Sequence, residues 1–298
     1  TPTQTPFTTL SGGSNWKEVS IGYFFYVAAI KTDGTLWTWG NGSSNRLGTN
    51  DTNIDRWTPV TTFAGGTNWI QVSCGNDHIA AIKTDGTLWT WGTGSYSSLG
   101  TNGGGGVTPV TTFSGGTNWK QVSCGNDHTA AIKTDGTLWV WGKNSTTQLG
   151  TNDIIGKSTP VTTFVGGTTW KQVSCGKDYT AAIKTDGTLW IWGNNSGVQL
   201  GDNTNTNKST PVTTFAGGTN WKQVSCGNAH TAAIKTDGTL WTWGSGSYGK
   251  LGNNLAINIS TPVTTFSGGT NWKQVSFGLN DHASAIKTDG TLWVWGRG

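Results

Sequence analysis

Histidine is the residue type in this chain best suited to acid–base chemistry or metal binding. The four histidines occupy one position of a recurring local sequence, and tyrosine fills that position in two further copies. Tyrosine keeps an aromatic body with a polar tip but substitutes poorly for a metal-binding imidazole. The position is therefore predicted to hold a hydrogen-bonding aromatic residue at the start of a strand. Its occupants are His78, His128, His230 and His282, with Tyr26 and Tyr179 in the other copies.

The four cysteines also share one repeated position, which is occupied by Ile21 and Phe277 in the remaining copies. Apolar replacements at the same site predict a packed core position, where a free cysteine behaves as a small hydrophobe. No Cys-x-x-Cys spacing occurs, which weighs against zinc. The residues are Cys74, Cys124, Cys175 and Cys226.

Charged residues recur in six Lys-Thr-Asp-Gly segments, the third of which is Lys133–Gly136. Each aspartate is predicted to bond the backbone of its own turn. Lysine and aspartate in equal number make this face nearly neutral, so a phosphate or nucleic-acid site is not expected there. No nucleophile elbow and no phosphate-binding loop is present. The sequence predicts no enzyme, no cofactor and no metal.

The composition limits the class of partner. Only 11% of the 298 residues are charged, the net charge is +4, and Lys and Arg form no cluster, so nucleic acid is not an expected partner. No apolar run reaches the roughly 18 residues of a membrane span, and no signal peptide is recognisable. The chain lacks Met and begins at Thr1, which indicates either a removed leader or a segment of a longer chain.

Internal repeats must position all of these residues. Thr-Leu-Trp-x-Trp-Gly occurs six times, and the tryptophan of Gly-Gly-x-x-Trp recurs at spacings of 53, 50, 51, 51 and 51 residues. Residues 1–298 are predicted to form one domain without linkers. Its repeats cover about 11–63, 64–113, 114–164, 165–215, 216–266 and 267–298, the last completed by 1–10.

One repeat predicts a meander of four strands. In the third copy these are Trp119–Gly125, His128–Ile132, Thr137–Gly142 and Thr159–Phe164, and the Asp-Gly of Lys133–Gly136 marks a tight hairpin. The third strand is apolar on both faces, as expected for a sheet packed between two neighbours. The fold class is therefore an all-β, six-bladed β-propeller of four-stranded antiparallel blades.

The two ends of the sequence are complementary. The sixth copy stops at Gly298 after its third strand, and Thr5–Leu10 resembles the missing fourth strand. Pairing of this N-terminal strand with the last blade would close the ring and remove open sheet edges. The same complementarity could instead link successive molecules head to tail.

Taken together, Trp-Lys-Gln-Val-Ser-Cys-Gly-x-x-His-Thr-Ala-Ala-Ile, Asp-Gly-Thr-Leu-Trp-x-Trp-Gly, Gln-Leu-Gly and Thr-Pro-Val resemble the regulator of chromosome condensation repeat across essentially all of the chain. The resemblance implies a propeller closed by an N-terminal outer strand. It also suggests an activity, nucleotide exchange on a small GTPase at chromatin, which is that of the founding, seven-bladed member of the family. Six copies, no inserted wedge and no basic tail weigh against that activity here.

The segment between the third and fourth strands varies among copies, whereas the strands hardly differ. It is predicted to emerge on the same face as the turn between the first two strands, and diverse loops on a rigid frame are typical of recognition sites. Loops can also diverge because nothing constrains them. The candidate binding residues are Arg46, Arg56, Trp57, Tyr96, Tyr248 and Lys250, and the aromatic cluster Tyr23–Tyr26 could extend the patch.

These patterns predict a non-catalytic propeller that binds a protein or a carbohydrate through its variable loops. The alternatives are a structural subunit of an extracellular or viral assembly, with self-association, and an exchange factor for a small GTPase. The composition, rich in Thr, Asn and Gly and poor in charge, favours an extracellular or virion surface. Trp139→Ala, as a core truncation, is expected to cost about 3–5 kcal/mol.

Overall fold

The computed structural model describes residues 14–278 and 282–297 and arranges them in six antiparallel β-sheets in chain order. The molecule is a six-bladed, all-β propeller, which confirms the predicted fold class. The first three blades are β1 Trp16–Ile21, β2 Tyr26–Lys31, β3 Leu36–Gly40 and β4 Arg56–Thr61; β5 Trp69–Cys74, β6 His78–Lys83, β7 Leu88–Gly92 and β8 Gly106–Thr111; and β9 Trp119–Cys124, β10 His128–Lys133, β11 Leu138–Gly142 and β12 Lys157–Thr162.

The remaining blades repeat this order. They are β13 Trp170–Cys175, β14 Tyr179–Lys184, β15 Leu189–Gly193 and β16 Lys208–Thr213; β17 Trp221–Cys226, β18 His230–Lys235, β19 Leu240–Gly244 and β20 Ile259–Thr264; and β21 Trp272–Phe277, β22 His282–Lys287 and β23 Leu292–Gly296. Short 3-10 turns lie at Ser43–Asn45, Ser95–Ser97 and Ser247–Gly249. The predicted strands of the third copy match to within two residues at each end.

The core lies between blades. Trp119, Val122 and Cys124 of β9 pack against Ala80 and Leu88 of the preceding blade, and equivalent sets fill the other interfaces. The second strand of the third blade is buried on both faces. This accounts for the absence of polar–apolar alternation in its sequence, since this blade has a neighbour on either side.

The first strand of each blade contacts the first strand of the blade that follows it in the chain and is the innermost strand. Polar side chains of these innermost strands join each blade to the next. The Cys124 backbone N–H donates to Ser73 Oγ at 2.9 Å, and the Val122 N–H donates to Gln71 Oε1 at 2.8 Å. The Gln71 side chain returns a bond from Nε2 to the Val122 carbonyl oxygen at 3.2 Å. These bonds recur around the propeller and satisfy backbone groups that β-pairing within a blade leaves open.

The first and last blades each present an uncovered face. Leu292 of β23 is 65% exposed, whereas its counterpart Leu138 is 1% exposed. On the first blade, Val19 and Ile21 are 62% and 66% exposed, although the equivalent valine and cysteine are buried in the second blade. Among the described elements, the packing that joins successive blades is not found between the sixth blade and the first.

The sixth blade has three strands within the described residues. The closing strand predicted at Thr5–Leu10 lies outside the described residues, so its pairing with β23 stays a prediction.

Candidate functional site on the variable-loop face

The repeated histidine position links neighbouring blades. The imidazole Nε2 of His78 is hydrogen-bonded to Thr129 Oγ1 of the next blade at 2.9 Å, and His128 meets Thr180 in the same way. Burial lowers the pKa of His78 to about 4 and that of His128 to about 3. Tyr26 uses its hydroxyl in the same direction, donating to the Gly75 carbonyl oxygen at 2.9 Å. The predicted hydrogen-bonding aromatic position is confirmed.

The repeated cysteine position is a core position, as predicted. All four thiols are free and buried, and burial raises the pKa of Cys74, Cys124 and Cys226 to about 12. A thiol that stays protonated is a poor nucleophile and a poor metal ligand. Within residues 14–278 and 282–297, no group of three or more His, Cys, Asp or Glu side chains is arranged to hold a metal ion.

The aspartate of each Lys-Thr-Asp-Gly hairpin accepts hydrogen bonds from its own turn, as predicted. In the first of them, Asp33 Oδ1 accepts bonds from the Thr35 hydroxyl at 2.7 Å and the Thr35 N–H at 2.9 Å, and these bonds lower the pKa of the carboxyl. The role of the lysine was not evident from the sequence. Lys31 Nζ lies 4.3 Å from the ring centroid of Trp37 and 5.0 Å from that of Trp16, and every blade repeats this cation–π contact.

The variable loops lie beside the first turn of each blade, on the face opposite these hairpins. The backbone N–H of Thr93, at the start of the second loop, donates to the Asp77 carbonyl oxygen at 2.8 Å, and that of Lys143 donates to Asp127 at 2.9 Å. We call this side the variable-loop face. Its predicted position is confirmed by these bonds.

Two of the predicted binding residues point inward. Arg46 is buried, forms an ion pair with Asp77, and donates from Nη1 to Asn41 Oδ1 at 2.8 Å. Lys250, at the equivalent position four blades on, is also buried. The residue before each Leu-Gly offers its carbonyl oxygen to a tryptophan of the next blade, so its side chain is drawn under the loop. The bond runs from Trp91 Nε1 to the Arg46 oxygen at 2.9 Å.

Two predicted aromatic residues stand out from the surface. Tyr96 and Tyr248 occupy equivalent 3-10 turns, are 62% and 58% exposed, and have φ angles of 53° and 59°. A bulky residue at positive φ is strained, and such strain is often found at binding sites. Lys143 Nζ lies 5.2 Å from the Tyr96 ring centroid, and the guanidinium of Arg297 lies 4.9 Å from that of Tyr248.

The remaining predicted residues lie on the outer edge of the first blade. Trp57 belongs to the edge strand β4 rather than to the loop and is 81% exposed. Its neighbour Arg56 is partly exposed and pairs with Asp51. In the aromatic cluster, Phe25 is exposed with φ 57°, whereas Tyr26 is fully buried. The structure therefore does not bring all six candidates into one patch.

A cavity of about 340 Å³ opens next to Tyr96, between the loops of the second and third blades. Its lining includes Lys143, Asn144 and Ile154. Lys143 Nζ also lies 3.5 Å from Asp127 and 3.6 Å from Asp178. The aspartates raise the pKa of Lys143, although burial opposes them. The result is a fixed cation beside an exposed aromatic ring, an arrangement suited to an interface.

Comparison with known proteins identifies a matching family and similar proteins. Residues 1–298 match the family model described as the RCC1-like domain. The chain is 32% identical over 290 residues to the ultraviolet-B receptor UVR8 of Arabidopsis thaliana, covering 93% of this chain and 64% of the receptor. It is 28% identical over 296 residues to the mitochondrial RCC1 domain-containing protein RUG3 of the same plant, covering 94% and 64%. The chain thus spans less than two thirds of the length of these relatives.

Solved structures agree with the fold. Human WBSCR16 superimposes with a TM-score of 0.81 at 23% identity, covering 94% of this chain and 77% of that one. Yeast RCC1 (Prp20), in its complex with Kap60, gives a TM-score of 0.80 at 19% identity, covering 94% and 70%. No helix within the described part of the chain has the length and apolar character to cross a bilayer. On the match of the family model over its whole length, the chain belongs to the RCC1-like domain family.

Proposed function

We propose that this chain is a non-catalytic binding module that recognises a protein partner through the variable-loop face. The observation that carries the proposal is the pair of exposed tyrosines, Tyr96 and Tyr248, each held at positive φ on an otherwise buried frame. Exposed aromatic side chains with few rotatable bonds are common anchors of protein interfaces.

The second and third blades supply the best-developed part of this surface. Tyr96, Lys143 and the cavity of about 340 Å³ lie together there, and Asp127 and Asp178 hold the lysine in place. A partner segment with an apolar side chain for the cavity and a carboxylate for Lys143 would match this chemistry. Since the surrounding strands are buried and rigid, little ordering would be needed on binding.

Relatives support a protein rather than a glycan as partner. Yeast RCC1 (Prp20) has been solved bound to Kap60, and a structure of Prp20p is described together with its binding to Gsp1p and histones. Among relatives that are enzymes, human HERC2 is named as an E3 ubiquitin-protein ligase, and the matched region covers 3% of that protein. A match of that size gives no support for ligase chemistry in this chain.

The test is affinity capture with three forms of the chain. The wild type is compared with Trp57→Ala/Tyr96→Ala/Tyr248→Ala and with a control, Lys157→Gln/Lys208→Gln, which alters two lysines that pair with aspartates of their own loops. We expect a partner that the wild type and control retain and the triple variant loses by about tenfold or more in Kd. Retention of every captured protein by the triple variant, with unchanged Tm, would refute the aromatic surface, and binding only on a glycan array would replace the protein partner by a carbohydrate.

The structural-subunit alternative also has an observation in its favour. The faces of the first and sixth blades are uncovered at Val19, Ile21 and Leu292. Exposed sheet faces of this kind can pair between molecules. Ordered oligomers of the purified chain in size-exclusion chromatography would favour that function, in an extracellular or virion setting, over recognition by loops.

A further inference from the structure

We propose that the face opposite the variable loops docks on a membrane surface that carries anionic lipids. We call it the repeated face. It consists of the six Lys-Thr-Asp-Gly hairpins, the Gly-Gly connections between blades and the strand ends that flank them. The proposed protein-binding surface, the variable-loop face, lies on the other side of the molecule.

Phenylalanine is exposed at one position of this face in five blades. Each residue lies two positions after the end of the fourth strand and precedes the Gly-Gly connection. The exposed fractions run from 63% to 76%, although most other aromatic residues of the repeats are buried or half-buried. The residues are Phe63, Phe113, Phe164, Phe215 and Phe266. All five side chains are more than 60% exposed, so each offers apolar area to a partner outside the chain.

Lysine is exposed at a second repeated position. It follows the tryptophan that begins the innermost strand. A β-bulge shifts the register at this point, as between Trp221 and Gln223. The bulge adds a residue that has no partner in the ladder and turns its side chain outward. Five copies carry lysine there, namely Lys17, Lys120, Lys171, Lys222 and Lys273, and the second blade carries Ile70.

The positive charge of the chain is concentrated on this face. The five exposed lysines, the six hairpin lysines and the six hairpin aspartates give a formal charge of +5. The whole chain carries +4, so all other side chains together contribute −1. The hairpin lysines are also fixed over tryptophan rings, at 4.3 Å for Lys235 and Trp241. The hairpin sequence alone suggests a nearly neutral face; the bulge lysines change this balance.

The repeat places these groups at matched heights. Successive blades share the same strand register and the same interblade contacts. Equivalent positions are therefore related by nearly the same rotation from blade to blade, and they face the same side of the molecule. Five phenylalanines and five lysines on that side form a broad surface suited to a flat partner.

A bilayer fits this surface better than a nucleic acid. Proteins that bind single strands combine a basic groove that follows the backbone with aromatic stacking platforms. Here one exposed phenylalanine stands at the outer end of each of five sheets. Apolar side chains that enter the headgroup region and lysines that attract anionic lipids are the combination found on peripheral membrane proteins.

Vesicle flotation tests the proposal with the whole chain. We expect binding to vesicles of phosphatidylcholine with phosphatidylserine, little binding to phosphatidylcholine alone, and loss of binding in high salt. Lys171→Gln/Lys222→Gln should lower the partition coefficient by about thirtyfold, since each lysine near an anionic surface contributes about a fivefold gain in binding. Phe164→Ser/Phe215→Ser should lower it by a similar factor without changing the net charge.

The matched control is Lys157→Gln/Lys208→Gln, which removes the same charge from the variable-loop face and should bind vesicles as the wild type does. Equal losses in the control and in Lys171→Gln/Lys222→Gln would show attraction by net charge only and overturn the proposal. So would the absence of flotation with anionic vesicles, or tighter binding to a single-stranded oligonucleotide that Phe164→Ser/Phe215→Ser weakens. Circular dichroism melting of each variant separates a loss of binding from a loss of folding.

Discussion

At the scale of single residues, the buried imidazoles couple the fold to pH. His78 and His128 are neutral in the folded chain because burial holds their pKa at about 4 and about 3, below the roughly 6.5 expected in an unfolded chain. As the pH falls below about 6.5, the unfolded chain takes up protons that the folded chain does not. Stability contributed by these groups is therefore present at neutral pH and lost towards pH 4.

The double variant His78→Tyr/His128→Tyr should remove much of this loss, because tyrosine already occupies the same position as Tyr26 and Tyr179. Between pH 7 and pH 5 we expect the wild type to lose about 2–4 kcal/mol more than the variant. Urea denaturation at the two pH values measures the difference. The hairpin aspartates, whose pKa is lowered by bonds to threonine, act below about pH 4 and leave this window unaffected. Equal losses in both proteins would locate the pH dependence elsewhere.

The character of single positions could be predicted unequally well from the sequence. Comparing copies was enough for the cysteine and histidine positions, since the replacements Ile21, Phe277 and Tyr26 indicate a packing position and a hydrogen-bonding aromatic position. It was not enough for Arg46 and Lys250, whose type suggests exposure. Both residues supply their carbonyl oxygens to a tryptophan of the next blade and have buried side chains, which hydrophobicity patterns do not reveal.

At the scale of the elements, the second tryptophan of the third strand joins each blade from the second to the sixth to the one before. The indole Nε1 of Trp141 donates to the Ser98 carbonyl oxygen at 2.8 Å, and its side chain is fully buried. Trp139 is only partly buried and donates within its own hairpin, to Thr137 Oγ1 at 2.9 Å. The core truncation expected at Trp139 is therefore better placed at Trp141.

Trp141→Ala should lower the free energy of unfolding by about 3–5 kcal/mol, because it removes a buried indole and leaves a cavity. Trp57→Ala is the matched control at an exposed site and should change stability by less than about 0.5 kcal/mol. Both are measured by equilibrium denaturation. A loss at Trp57 as large as that at Trp141 would mean that the edge strand β4 is packed rather than exposed.

At the scale of the whole molecule, the repeat period and the apolar third strands predicted the propeller correctly, because they determine strand number and the need for two neighbours. The exposed lysines and phenylalanines of the repeated face were not predicted, since they depend on the β-bulge and on which strand end is uncovered. The closing strand stays a prediction. Its support from the described residues is that β23 stands at the edge of a three-stranded sheet, where the other five blades have a fourth strand.

A cysteine pair at Phe7 and Val294 tests closure. In the first blade Thr38 pairs with Val60, and Phe7 and Val294 are the equivalent sequence positions. Opposed residues of antiparallel strands have Cα atoms about 4.5–5.5 Å apart, within reach of a disulfide. We expect Phe7→Cys/Val294→Cys to cross-link within one molecule under mild oxidation and to raise Tm. Cross-linking between molecules would show head-to-tail assembly, and no cross-link would refute strand pairing in this register.

The tryptophan-to-carbonyl bond between blades has a consequence for how this scaffold can change. Its acceptor is a main-chain atom, and the residue that supplies it is Arg46, Ser98, Gln148, Gln199 or Lys250 in different blades. Because this bond does not depend on the side chain, the loop sequence can change while the fold is kept. Replacement of the exposed outer part of a loop, such as Ile154 and Ile155, should accordingly leave the bonds between blades in place.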